Sequence, residues 1–201
     1  MGLSNMDEIR QLIKPSRLWS RAEVVARPCP VPAKSGTYAW YFRQLPGCVD
    51  ARECLRYNDL TLLYVGISPK APLKDGKSPS KETLRSRIRY HFTGNAEGST
   101  LRLTLGCLLA ESLGIELRRV GSGDRMTFSV GEKAISEWMG QNAYVTWVES
   151  LEPWNLEQRA IRSLPLPLNI DQNGHCSFYE TLRRIRSTAR MRAKLLDVLV
   201  R

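Results

Sequence analysis

Gly36-Thr37-Tyr38-Ala39-Trp40-Tyr41-Phe42 (GTYAWYF) and Thr61-Leu62-Leu63-Tyr64-Val65-Gly66-Ile67 (TLLYVGI) decide how the rest of the chain is read. Both are dense in β-branched and aromatic residues and are flanked by turn formers, which predicts strands over 37–42 and 61–67. Each strand sets a tyrosine close to a glycine, Tyr38 after Gly36 and Tyr64 before Gly66. A glycine just after Tyr64 lets backbone or an anionic group approach closely there. The intervening Gln44–Asp59 segment (QLPGCVDARECLRYND) is too long for a tight hairpin and reads as an excursion with one short helical turn.

Downstream, Ser68–Ser80 (SPKAPLKDGKSPS) has the Pro, Lys and Ser content of a mobile loop lying over a ligand. Lys81–Phe92 reads as a basic helix whose apolar side is Leu84, Ile88 and Phe92; Arg87 and His91, four residues apart, share another face. Thr100–Leu113 is apolar nearly throughout, a buried helix stopped at Gly114. Glu116–Val120 and Arg125–Val130 bracket Gly121-Ser122-Gly123-Asp124 as a hairpin, and Glu132–Met139 is helical. Tyr144–Glu149 alternates as a strand should. Pro153 opens a helix that carries Glu157. Leu164–Asn169 (LPLPLN) cannot be helical and brings Asn169 back toward the sheet in extended form. Phe178–Val200 is a last amphipathic helix. At the other end, Asp7–Lys14 is a short helix, Trp19–Val25 continues irregularly or as a second turn, and Arg27–Pro32 (RPCPVP) is an extended lead-in.

The chain has 201 residues, a net charge of +10 and a pI near 9.7. That length supports one compact unit, and the charge favours a polyanionic partner. The distribution sharpens this: Lys70, Lys74, Lys77, Lys81, Arg85, Arg87 and Arg89 face only Asp75 and Glu82 between Ser68 and Tyr90. The terminal helix adds Arg183, Arg184, Arg186, Arg190, Arg192, Lys194 and Arg201. Two basic stretches form a footprint for a phosphate backbone; the alternative is two solvated helix faces, a reading nearly as strong for the terminal helix. Five cysteines, odd in number and without a C-x-x-C pair, indicate free thiols and no zinc or disulfide framework. No apolar run approaches the ~18 residues of a membrane span, and Asp7 and Glu8 stand where a secretory signal would be apolar. A cytoplasmic location is the default expectation.

The ordered series Tyr38, Tyr64, Arg87, His91, Glu157 and Asn169 resembles the GIY-YIG nuclease superfamily. In that family a G-[IVT]-Y strand and a Y-[IV]-G strand form a hairpin, an arginine lies on the next helix, and a metal-binding glutamate and an asparagine follow. His91 matches the restriction-endonuclease branch, which carries a histidine one helical turn after the arginine. The motif positions run from Gly36 to Asn169, with Thr37 and Val65 where the family name has isoleucine.

The resemblance implies an α+β fold: a small, mostly antiparallel central sheet flanked by helices, here with an extra hairpin and a basic C-terminal helix. Residues 1–34 would be the lead-in, 35–175 the catalytic domain with insertions, and 176–201 the basic helix packed on it. It also implies metal-dependent hydrolysis of DNA, in duplex form, by one-step attack of water. Glu157 would hold Mg or Mn. Arg87 would clamp a phosphate oxygen, a task for a planar, permanently charged fork. Tyr38 would act as general base or orient the water, which implies surroundings that lower its pKa, and His91 would accept or relay that proton. Tyr64 would hydrogen-bond phosphate or water, Asn169 would orient Glu157 or substrate, and Gly36 and Gly66 would shape the site. Lys70, Lys74, Lys77, Lys81, Arg85 and Arg89 would contact nucleic acid. A homodimer would allow both strands to be cut together. Asp171, Asn173 and His175 read as structural. The competing readings are a non-catalytic nucleic-acid-binding module of the same fold and a regulatory protein-interaction domain.

Overall fold

The computed structural model describes residues 5–72 and 80–200. In chain order the elements are α1 (Asn5–Ile13), β1 (Trp19–Ser20), α2 (Arg21–Val25), β2 (Gly36–Phe42), β3 (Arg56–Tyr57), β4 (Leu60–Ser68), α3 (Leu84–Thr93), α4 (Thr100–Leu113), β5 (Arg118–Val120), β6 (Arg125–Thr127), α5 (Gly131–Asn142), β7 (Ala143–Glu149), α6 (Pro153–Ser163) and α7 (Tyr179–Leu195). Five strands form one antiparallel sheet in the order β1-β7-β2-β4-β3, and β5 and β6 form a separate hairpin. This is the expected α+β class, a central antiparallel sheet flanked by helices.

Every residue of β2 is buried, because the strand is central and helices cover both faces. Tyr38, Trp40, Phe42, Leu63 and Tyr64 join Leu84, Ile88, Phe92 and Leu101 in one cluster under α3 and α4. Ala39, Tyr41, Leu62 and Val65 pack on the other face with Leu12 of α1 and Leu156, Ala160 and Ile161 of α6. The alternation of β2 thus reads as two buried faces, as a central strand requires.

One irregularity sets the site. Tyr38 lies opposite Gly66 and Trp40 opposite Tyr64, but Tyr41 lies opposite Leu62, leaving Leu63 as an extra residue in β4. Such a bulge turns two consecutive side chains to one face. It brings Tyr64 onto the face of Tyr38 while Leu62 keeps to the other core.

Three sequence expectations need correction. The Gln44–Asp59 excursion holds no helix; its end is β3, which pairs with the start of β4. The basic helix begins after Thr83, not at Lys81, because Thr83 and Ser86 cap each other's backbone N–H groups in a capping box. The terminal helix stops at Leu195, and the chain then turns back on the hairpin: Leu199 N–H donates to Arg119 O at 2.9 Å, and Arg119 Nη2 donates to Leu196 O at 2.8 Å. Lys74 and Lys77 lie outside the described residues. No helix among the described residues is long and apolar enough to cross a membrane.

Candidate active site

Tyr38, Tyr64, Arg87 and Glu157 reach one cavity of about 510 Å³ from β2, β4, α3 and α6, together with Lys70, Trp154 and Asp171. A smaller recess of about 260 Å³, also lined by Tyr64 and Glu157, is bounded by Asn169 and Arg186. Five of the six residues singled out from the sequence line one or both hollows. The sixth, His91, is fully buried behind Tyr38, with its Nε2 2.8 Å from the Tyr38 Oη.

Local chemistry explains each placement. Gly66 is where it is because of Tyr38: a Cβ on residue 66 would stand 2.7 Å from Tyr38 Oη and 2.8 Å from Cζ. The close approach anticipated at this glycine is therefore made by the tyrosine ring. Gly36 answers to backbone, since a Cβ there would lie 2.3 Å from Val148 O. Arg87, one turn before His91 on α3, donates from Nη1 to Gly98 O at 2.8 Å and lies 3.7 Å from Glu82. The His91 ring is held edge-on by Trp40, while its Nδ1 sits 2.7 Å from Ser99 Oγ.

The electrostatics run against one expectation. Burial, then the neighbouring Tyr64, raises the Tyr38 pKa well above that of a free tyrosine, with the Arg87 charge opposing the rise. Burial and then Glu157 push Tyr64 up to about 12, again against Arg87. The protein by itself therefore keeps both hydroxyls protonated, whereas a general-base role implies a lowered pKa. Burial, then Arg87 and Arg102, depresses His91 well below the usual imidazole range, so it is neutral. Glu157 is pushed up to about 7 by burial and then by Asp171, with Lys70 opposing. Asp171, read from the sequence as structural, thus faces the metal-ligand candidate.

Asn169 does not hydrogen-bond Glu157. Its Oδ1 accepts from Val65 N at 3.0 Å and its Nδ2 donates to Val65 O at 2.8 Å, so its amide completes the side of β4 that β3 leaves open. Next to it, Leu168 N donates to the carbonyl of the bulged Leu63 at 3.1 Å. Asn173 braces this return by donating to Leu166 O and Asn169 O at 2.8 and 3.0 Å. Of the basic residues, Lys70 lines the cavity. Arg85 Nε instead donates to Val31 O at 2.7 Å, tying α3 to the lead-in. Arg186 leaves the terminal basic face and is buried beside Thr104, where burial and then Arg190 lower its pKa.

The fit of a metal can be judged from these donors. Glu157 and Asp171 supply hard carboxylate oxygens, and Glu157 is held in surroundings that penalise its negative charge unless a cation or proton answers it. Among the described residues no group of three or more His, Cys, Asp or Glu gathers. That suits an ion such as Mg²⁺ or Mn²⁺, which keeps most of its waters and takes one or two carboxylates, and not a closed zinc cage.

No curated protein and no solved structure matches the chain. The model of the GIY-YIG catalytic domain does match, over residues 36–188. That span begins at the first residue of β2 and takes in both tyrosine strands, α3, α6 and most of α7. With three quarters of its length so matched, and with the motif tyrosines on paired central strands, the chain belongs to the GIY-YIG catalytic domain family and has its nuclease-type fold.

Proposed function

We propose that the protein is a metal-dependent endonuclease that hydrolyses DNA phosphodiesters by a single attack of water. The convergence of Tyr38, Tyr64, Arg87 and Glu157 on one polar cavity carries this reading. Arg87 binds a non-bridging phosphate oxygen with the part of its guanidinium not committed to Gly98. Tyr38 takes the proton of the attacking water, and Tyr64 hydrogen-bonds the water or the phosphate. Glu157, with Asp171 as a second oxygen donor, would hold a divalent cation, and such an ion would supply charge stabilisation for the leaving oxygen. Neutralising Glu157 also removes the negative charge that raises both tyrosines. Asn169 acts through the chain, holding β4 and the return to Asp171 in place. Lys70, which lines the cavity, meets the flanking backbone. A single cavity of this size serves one strand, so cutting both strands of a duplex together takes two copies.

The test is supercoiled plasmid incubated with the protein in Mg²⁺, in Mn²⁺ and in chelator. Nicking or linearisation confined to the metal lanes supports the reading. If branched DNA, single strands and RNA also stay intact while binding persists and weakens with salt, a binding module takes its place.

Gly66→Ala gives a sharper check of the geometry. The new methyl would press on a ring that is packed and hydrogen-bonded, so Tyr38 must move by a fraction of an ångström or more. Misplacement on that scale costs about 10–100-fold in rate. Cleavage should fall by that factor while the circular dichroism spectrum is unchanged; wild-type rates would sink the placement of Tyr38.

A further inference from the structure

Ser99 decides what His91 can do. It is the N-cap of α4: its Oγ accepts the N–H of Arg102 at 3.1 Å, and its carbonyl accepts that of Leu103 at 2.9 Å. The same Oγ lies 2.7 Å from His91 Nδ1, and the residue is 1% exposed. A serine hydroxyl has one proton to give. Among the described residues, His91 Nδ1 is the acceptor placed to take it.

The two neutral forms of His91 then differ in what they strand. With hydrogen on Nδ1, the ring would donate to Ser99 Oγ, and the buried serine proton would be shut in without an acceptor, a state folded proteins avoid. With hydrogen on Nε2, Ser99 donates to the bare Nδ1, and the ring donates to Tyr38 Oη across 2.8 Å. The Tyr38 proton then turns to the cavity that Tyr38 lines. Every group is satisfied in the second form alone. Arg102 locks the pair, because its backbone N–H goes to Ser99 and its Nη1 donates to His91 O at 3.1 Å.

We propose that Ser99 is a positioning residue that fixes His91 with its hydrogen on Nε2, so that His91 donates to the Tyr38 oxygen and steadies its phenolate instead of taking its proton. The surroundings agree: Arg87 from the same helix and Arg102 from α4 both oppose a positive charge on His91. On the far side the Tyr38 oxygen faces Tyr64 and Glu157. The catalytic consequence rests on the nuclease reading. The Tyr38 O–H proton leaves to solvent through the cavity and the electron pair stays on Oη, beside the His91 Nε2–H and the Arg87 charge. That phenolate takes a proton from water as the water oxygen bonds phosphorus. The bond from phosphorus to the leaving oxygen breaks with its electron pair, and that oxygen is protonated by solvent.

The test is a long-range ¹H–¹⁵N spectrum of the ¹⁵N-histidine-labelled full chain. There are two histidines, His91 and His175, so His175→Gln assigns the signals. The expected result is a single Nε2–H form of His91 in the wild type, kept in Ser99→Thr and also in Tyr38→Phe, because Ser99 and not the tyrosine selects it. Ser99→Ala should let the Nδ1–H form appear, slow cleavage about tenfold and move the alkaline rise in rate to higher pH. Ser99→Thr should restore both. A role confined to capping α4 would lower the melting temperature and leave the tautomer and pH profile alone. An Nδ1–H form in the wild type overturns the proposal, as does a tautomer that changes with Tyr38→Phe and not with Ser99→Ala. If the alanine variant does not fold, the wild-type and Tyr38→Phe spectra decide. The spectrum needs no turnover, so an Nε2–H form in a protein that cuts nothing upholds this assignment and counts against the nuclease reading alone.

Discussion

Glu157→Gln is expected to lower metal-dependent cleavage by about a thousandfold, the scale set by losing one strong stabiliser of charge in a transition state, while making the metal-free protein more stable. The two effects have one cause. Burial and then Asp171 push the Glu157 carboxyl up to about 7 from an ordinary 4.5. Between those values the folded chain holds a proton that the unfolded chain has released. Stability therefore falls as pH rises from 4.5 to about 7 and levels off above. The interval corresponds to about 3 kcal/mol at most. Glutamine keeps the shape and never ionises. In chelator, the melting temperatures of variant and wild type should coincide near the acid end and separate above neutrality, with the variant higher. Mg²⁺ should raise the wild type above neutrality and leave Glu157→Gln unmoved. An equal response of both proteins to Mg²⁺ would remove Glu157 from the metal site, whatever happened to activity.

The second large effect concerns stability and lies behind the site. Arg102 is fully buried, yet every nitrogen of its guanidinium is engaged. Nη2 meets Glu132 Oε2 at 2.7 Å and Glu132 O at 2.7 Å, and Nη1 reaches Ser136 Oγ at 3.0 Å as well as His91 O. Glu132 is equally committed, accepting at Oε1 from Ala96 N, Phe128 N and Thr127 Oγ1. Two charges and a set of loop ends thus join α3, α4, α5 and the β5–β6 hairpin. Arg102→Met fills similar space but leaves the Glu132 charge unmatched, which costs about 3–5 kcal/mol. At this chain length that lowers the melting temperature by about 10 °C. Adding Glu132→Leu should recover only part of the loss, because the backbone groups of Ala96 and Phe128 lose their acceptor. Calorimetry on the two single variants and the double would show this; a double variant as stable as wild type would mean the network serves something other than stability.

How far the sequence was legible follows from which interactions are local. The two tyrosine strands, α3 with Arg87 and His91 on one face, and α6 opened by Pro153 follow from short-range periodicity and capping, and the structure has them within a few residues. The bulge at Leu63 was not legible: it depends on which β2 residue meets which β4 residue, and both strands are apolar on both faces. The resemblance implies Asn169 as a partner for Glu157 or substrate, but its amide is taken by the backbone N–H and C=O of Val65, 104 residues earlier. Asp171 passed as a turn residue since nothing in its neighbours shows that α6 will bring Glu157 beside it. Ser99 carries no sign in the sequence beyond standing just before α4. Its second bond, to His91, exists only once α3 and α4 are packed. Arg85 and Arg186 were counted by charge, and the structure gives them to a carbonyl and to a buried threonine.

The amide of Asn169 has a further consequence, for solubility. By pairing with both backbone groups of Val65 it closes a stretch of β4 just past the two residues that β3 covers. Without it, an apolar strand from the middle of the sheet would present a free N–H and C=O in strand register, the template on which chains add to one another edge to edge. A single side chain thus stands in for the length by which β3 falls short of β4, and its loss should appear first as concentration-dependent aggregation on warming.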